Sequence, residues 1–283
     1  MIIKSLKNIP FDQIYNAFSR AFADYEMQLN KEQLQRMLKR RGFVPELSFG
    51  AFEKKQLVAF TLNGIGIFNG KQTAYDTGTG TIKEYRGQGL ATQIFEYSVP
   101  FLKNERIEQY LLEVLQHNSK AVSIYKNVGF KVSREFNYFI QDTDALNFKD
   151  HQNETPYKTT DINLNDIESA AELADFHPSW QNSFDAINRA PEDFIIKAVY
   201  QAKKIIGYCI IEPKTGDITQ IAVDKKHRRK GIGTFLLSEA IKHNKNTVIK
   251  IINTDKNCLA ITDFLKSKNV LIKGKQYEMI KDI

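Results

Sequence analysis

The chain has little of what would mark a secreted, metal-built or membrane-spanning protein. Two cysteines, Cys209 and Cys258, stand far apart in 283 residues and in no metal-ligand spacing. A disulfide scaffold and a cysteine-rich metal site are therefore not expected, and a reducing, cytoplasmic home is the simplest inference. No apolar run approaches the roughly 20 residues that span a bilayer, so no membrane partner is expected. The opening Met1 to Asn8 lacks a long apolar core and a small-residue cleavage site, so no signal peptide is expected. Tryptophan is nearly absent: Trp180 is the only one.

What is present is an ordinary globular balance, 42% hydrophobic and 26% charged, which argues against disorder. The length allows one large domain or two of ordinary size. The formal charge is +7, yet the lysines are scattered rather than interleaved with aromatics, which argues against a nucleic-acid partner. One dense basic cluster, Lys225 to Lys230, needs its own explanation.

The most informative stretch runs from Thr73 to Phe130. A strand-like segment, Thr73 to Ile82, leads into Arg86-Gly87-Gln88-Gly89-Leu90-Ala91 and then an amphipathic helix. Strand, Gly-rich turn and helix make an anion site from backbone: first-turn N–H groups lack intrahelical partners and the macrodipole adds partial positive charge. Gly87 and Gly89 carry no Cβ to block close approach, and Arg86 adds a cation. A Gly-x-Gly turn alone also occurs in ordinary loops. Here Arg86, Gly89 and Ala91 fit the R-x-x-G-x-G/A signature of the GNAT N-acetyltransferase superfamily. Downstream, Leu112-Glu113-Val114, Asn118, Ala121 and Ile124 to Phe130 resemble the second signature of that superfamily, in order and at its usual distance.

Read in order, the chain starts with two helices, Ile9 to Phe22 and Lys31 to Arg41, the latter stopped by Gly42. Strands follow over Leu47 to Phe52, Gln56 to Ile67 and Thr73 to Ile82, with hairpin turns at Glu53-Lys54-Lys55 and Asn69-Gly70. A strand from Gln109 to Leu115, a helix carrying Tyr125 and a strand through about Ile140 complete the first unit. Residues 141 to 156 have linker chemistry. Two domains are expected, 1–148 with the active site and 149–283 as a degenerate copy. The fold class is α/β, two GNAT units each with a mixed, mostly antiparallel sheet flanked by helices.

The second copy reads as a helix over Ile162 to Phe176, strands over Phe194 to Tyr200, Lys204 to Glu212 and Asp217 to Val223, then Arg228, Gly231 and Gly233. Val223 precedes Arg228 by five residues, as Thr81 precedes Arg86, so the basic cluster reads as a second phosphate-binding turn. The copy then departs from the pattern. Asn257 stands near the place of Asn118, Phe264 or Leu265 takes that of Tyr125, and Asn269-Val270 replace Gly129-Phe130. Catalysis there is not expected. Trp180, beside Gln181 and Asn182, suits either ligand recognition or helix packing.

The resemblance implies acetyl-CoA as co-substrate, an amine as acceptor and no metal. The turn Arg86, Gly87, Gln88, Gly89, Leu90 and Ala91 would hold the pyrophosphate. Gly80, Thr81 and Ile82, at the end of a strand splayed from its neighbour, would pair with the pantetheine. Asn118 and Ala121 would contact the donor, although Asn118 also suits a helix cap. Tyr125 would be the general acid, against the plain alternative of a core aromatic. Glu113 stands five residues before Asn118, the L-E-V-x-x-x-N spacing of GNAT enzymes that acetylate protein N-termini, and would be the base through water. Asp76 is its rival. Asp24, Tyr25 and Glu26, between the first two helices, would meet a cationic acceptor or form a solvated loop. The expected activity is direct acetyl transfer from thioester to amine in a ternary complex. An acyl-CoA-binding regulatory protein without catalysis, and an RNA-associated protein, are the competing classes.

Overall fold

A computed structural model describes residues 1–25, 28–148 and 156–283. Glu26 and part of the expected linker lie outside the described residues. The chain divides into two compact units, Met1–Ser133 with Tyr277–Ile283, and Arg134–Gln276.

The first unit opens with a short strand that sequence patterning does not reveal, β1 (Ile2–Ser5), then α1 (Phe11–Ala21) and α2 (Lys31–Arg41). Asn30 caps α2 in a reciprocal box with Gln33, and Gly42 ends it in the left-handed region at φ 77°. Next come β2 (Phe49–Glu53), β3 (Gln56–Phe68), β4 (Lys71–Thr81), α3 (Leu90–Asn104), β5 (Gln109–Leu115) and α4 (Ser119–Asn127). Asn69 and Gly70 both take positive φ in the β3–β4 turn, the backbone a two-residue hairpin requires. The sheet order is β1-β2-β3-β4-β5; β1 to β4 pair antiparallel, and β4 pairs parallel with β5. Leu34 and Leu38 of α2 and Ile14 and Phe18 of α1 bury against Phe60 and Leu62 of β3. Phe95 of α3 packs with Tyr110 and Leu112 of β5 and with Met279 from the C-terminal segment.

In the second unit, β6 (Lys131–Asp142, from Arg134) is followed by β7 (Thr159–Asp161), α5 (Leu164–Glu168), α6 (Phe184–Asn188), β8 (Ile195–Gln201), β9 (Lys204–Glu212) and β10 (Asp217–Val223). Then come α7 (Ile232–His243), β11 (Val248–Asp255), α8 (Leu259–Ser267) and β12 (Ile272–Asp282), of which Tyr277 onward belongs to the first unit. The order is β6-β11-β10-β9-β8-β7, with β10 and β11 parallel. Two expectations change. The strand after Phe130 forms, but from Arg134 it belongs to the second unit, where it pairs with β11 and buries Phe139 beside Val199 and Ile206. The single helix expected over Ile162 to Phe176 is α5 plus one 3-10 turn, Ala171–Leu173, because the chain leaves helical geometry at Ala170 and Ala174. No helix among the described residues is long and apolar enough to cross a membrane.

Candidate active site

The Gly-rich turn of the first unit is shaped by two glycines. After β4 a 3-10 turn, Lys83–Tyr85, leads to extended Arg86, and Gly87 and Gly89 follow at φ 78° and 72°. Gly89 is the residue before α3, and Leu90 anchors the helix by burying beside Ile94 and Phe49. A Cβ placed on Gly87 would meet nothing within 4 Å, and one on Gly89 only the Gln93 amide at 3.6 Å. The glycines therefore leave open space over the first-turn N–H groups, Ala91 among them, as close approach of a phosphate requires. Arg86 turns inward instead: its Nε donates to the Thr81 carbonyl at 3.1 Å, and Nη2 to that of Ala21 at 2.8 Å. Its Nη1 faces Asp24 at 3.3 Å. Arg86 thus ties the strand end to the α1 terminus and holds the turn in place.

The remaining predicted residues line up behind that turn. Gly80 stands where a Cβ would come within 2.7 Å of Phe60, so packing alone demands glycine. Thr81 is half-buried, and Ile82 is buried with its N–H on the Val58 carbonyl. Gln88 is exposed, its carbonyl accepting from Gln93. The Asn118 side chain accepts from the Ala121 N–H at 3.2 Å and caps α4.

Between turn and cap the sheet opens. The β4–β5 pairing covers Thr73↔Gln109 to Tyr75↔Leu111, whereas β4 runs on to Thr81 and β5 to Leu115. A bulge at Thr77 shifts the β3–β4 register, and Asp76 stands just before it, where the two parallel strands separate. Asp76 Oδ1 accepts from the Gly78 N–H at 2.9 Å, and Oδ2 accepts from Thr79 Oγ1 at 2.7 Å and from the Tyr125 hydroxyl at 3.2 Å. Desolvation pushes the Asp76 pKa up, opposed by those donors and by the Arg41 charge. Desolvation also pushes the Tyr125 phenol well above its ordinary value, and the neighbouring Asp76 carboxylate adds to the shift. The pair is a neutral phenol on a carboxylate of raised basicity. Glu113 has a different partner: its Oε2 accepts from the Tyr75 hydroxyl at 2.8 Å. Spacing alone did not link Asp76 to Tyr125, which are 49 residues apart; the Asp76-Thr77-Gly78 run, suited to a side-chain turn, was the available signal.

The second unit repeats the frame with different chemistry. Gly231 precedes α7 at φ 84°, and Arg228 donates to the Val223 carbonyl at 3.0 Å and to Asp175 at 2.8 Å, as Arg86 does to Thr81 and Asp24. A bulge again falls four residues before the strand end, at Thr219. Both ends of α8 align with α4 when Cys258 takes the place of Asn118, which puts Leu265, fully buried, at the place of Tyr125. Asn257 is outside the cap position. Trp180 is buried beneath the Arg189 guanidinium, a packing residue rather than a surface for ligands. A cleft of about 580 Å³ opens among the turn, β10, β11 and α8 of this unit.

These features have counterparts in known proteins. The sequence model described as "Acetyltransferase (GNAT) family" matches residues 11–130 and 161–261. The chain belongs to the GNAT acetyltransferase family. As a GNAT-type N-acetyltransferase, its general chemistry is acyl-CoA-dependent N-acetyl transfer. It is 30% identical over 106 residues to N-alpha-acetyltransferase 30 of Schizosaccharomyces pombe, a match covering 37% of this chain and 71% of that one. With N-alpha-acetyltransferase MAK3 of Arabidopsis thaliana it shares 27% over 106 residues, 37% of this chain and 56% of the relative. Among solved structures, a tandem GNAT protein from the clavulanic acid biosynthesis pathway superposes with a TM-score of 0.75 at 11% identity, covering 99% of this chain and 98% of that one. A putative acetyltransferase from Pyrococcus horikoshii gives 0.71 at 14% identity, covering 100% and 89%. At such identities the likeness is one of fold, and this fold is the two-unit GNAT arrangement.

Proposed function

We propose that the first unit transfers an acetyl group from acetyl-CoA to an amine by direct attack, and that Asp76 and Tyr125 carry the protons. The Tyr125–Asp76 hydrogen bond at the parting of β4 and β5 is the observation that carries this reading. Gly87 and Gly89 leave the space a pyrophosphate needs, and bound acetyl-CoA supplies the activated acyl group. Asp76, lifted by desolvation, takes the proton that the amine releases as it attacks. Tyr125, held neutral, gives its proton to the departing thiolate and recovers one from Asp76, so the cycle closes without net proton change. Thr79 and the Gly78 N–H keep the Asp76 carboxylate aimed at the phenol. Holding both reactants in one opening of the sheet contributes a further large share of the rate.

Glu113 remains the second candidate base, favoured by its place on the diverging part of β5. Comparing Asp76→Asn with Glu113→Gln decides between them. Loss of the acid limb of kcat/KM in the Asp76 variant alone supports the relay, and loss in the Glu113 variant alone overturns it. For the acceptor we propose a peptide α-amine, in keeping with the likeness to N-alpha-acetyltransferases. Thiol release measured over peptides, polyamines and aminoglycosides tests this; turnover confined to the small amines would refute the peptide assignment, and no turnover with any amine would leave a regulatory acyl-CoA binder.

A further inference from the structure

The cleft of the second unit has the frame of a donor site but not its reacting end. With the bulged residues Thr77 and Thr219 aligned, Asp76, Thr79 and Thr81 of β4 correspond to Ile218, Ile221 and Val223 of β10. The helix caps place Leu265 at the position of Tyr125. Where the first unit collects a carboxylate, hydroxyls and a phenol, the second presents aliphatic side chains. Ile218, Ile221, Val223, Ile251, Ile261 and Phe264 all line the cleft.

Its floor offers little to a polar group. The Tyr208 hydroxyl donates to Gln220 at 2.8 Å, Gln220 Nε2 to the Asn182 carbonyl at 2.7 Å, and Asn182 Nδ2 to the Ile252 carbonyl at 2.9 Å. These buried groups satisfy one another, which leaves an apolar chain as the occupant that costs no hydrogen bond. The lining also carries Asp263 and Lys268; of its other charged groups, Asp175 faces Arg228 at 2.8 Å, and the His227 ring meets Gln201 at 2.7 Å. At the turn, the lining changes to Arg229, Gly231 and Thr234 at the start of α7. One end therefore suits an anion and the body suits hydrocarbon, within a volume of about 580 Å³ that is ordinary for a small-molecule cleft.

We infer that the second unit retains, without transferring, a coenzyme A thioester whose acyl chain is apolar and longer than acetyl. The phosphates lie at the Arg229–Gly231 turn and the chain lies between β10 and β11 against α8. No bond is made or broken there. The inference is independent of the reaction proposed for the first unit, and the two can fail separately.

The test uses the full chain and two thioether analogues that cannot transfer, S-octyl-CoA and S-ethyl-CoA, followed by titration calorimetry. In a Gly89→Glu variant, which closes the first unit's turn, one equivalent of S-octyl-CoA still binds, about tenfold or more tighter than S-ethyl-CoA because six more methylenes are buried. Gly231→Glu removes that equivalent. If Gly89→Glu retains its fold but binds no S-octyl-CoA while the unaltered protein binds one equivalent, the inference is overturned and the first unit's donor site stands. Equal affinity for the two analogues overturns the apolar assignment. Absence of binding to the unaltered protein sinks both readings, and loss of the only bound equivalent with Gly231→Glu alone keeps this one and refutes the other. A photoreactive diazirine-octanoyl-CoA requires no variant: labelling of peptides carrying Ile218 to Val223 or Ile261 to Phe264 supports the site, and labelling confined to other peptides refutes it.

Discussion

The two units differ less in their frame than in three side chains. Each has a bulge four residues from the end of its last antiparallel strand, braces the following turn with an arginine, and starts a helix after a left-handed glycine. The first then places Asp76, Thr79 and Tyr125 in one hydrogen-bonded group, where the second has Ile218, Ile221 and Leu265. In the proposed reaction the backbone supplies the binding geometry, and the chemistry resides in a few residues that can be lost without loss of the frame.

The largest effect expected from breaking this difference is at the turn. Gly89→Glu puts a negative side chain into the open space over α3 and asks an L residue to hold φ 72°, at a cost of about 1–2 kcal/mol. Donor binding to the first unit and all turnover are lost, while circular dichroism stays native. Unchanged calorimetric binding of acetyl-CoA by the variant would place the first unit's donor elsewhere. Next comes Tyr125→Phe, which lowers turnover by about a hundredfold or more with little change in donor affinity. The matching change in the second unit has the opposite signature. Leu265 is fully buried, so Leu265→Ala costs about 2–5 kcal/mol of stability in denaturant titrations and leaves turnover per folded molecule unaltered.

Much of this frame was legible in the sequence because it is local. Gly42, the Asn69-Gly70 turn and the spacing from Thr81 to Arg86 each report on backbone within a few residues. What could not be read depends on distant partners. Nothing near Arg134 announces that the strand pairs with β11, more than a hundred residues later in the chain. Trp180 looks the same in sequence whether it faces solvent or Arg189. The role of Arg86 was half legible: the spacing located it, but only the Thr81 and Ala21 carbonyls make it a brace. The choice of Leu265 over Phe264 needed both ends of α8, not the motif.

A smaller, pH-resolved effect sharpens the contrast between Asp76 and Ile218. Desolvation raises the Asp76 pKa, so the folded protein binds that proton more tightly than the unfolded chain. Ionisation then subtracts stability as pH rises from roughly 4, the ordinary aspartate value, and the loss is complete once pH exceeds the folded value. Asp76→Asn removes that slope, so its melting temperature relative to the unaltered protein is more favourable at pH 7 than at pH 4. It also loses the acid limb of kcat/KM. Tyr125→Phe removes a donor that holds the Asp76 pKa down, so in its residual activity the limb moves to higher pH. A limb that stays put in Tyr125→Phe would separate the two residues functionally.

The smallest expected effect is the one on which the division of labour depends. Arg228 holds the Val223 carbonyl and Asp175, and Gly231 sets the left-handed step before α7, so Arg228→Ala with Gly231→Glu dismantles the second turn twice over. Neither residue contributes to the Asp76–Tyr125 group, whose hydrogen-bond partners, Thr61 on Thr79 included, all lie in the first unit. Substitutions that share no partners add independently, so the double variant keeps its turnover at saturating acetyl-CoA within about twofold. Steady-state kinetics beside a melting curve separate the outcomes. Lower stability with unaltered kcat leaves the chemistry in the first unit, whereas a fall in kcat as large as that of Tyr125→Phe at unchanged stability would move the reacting centre to the second.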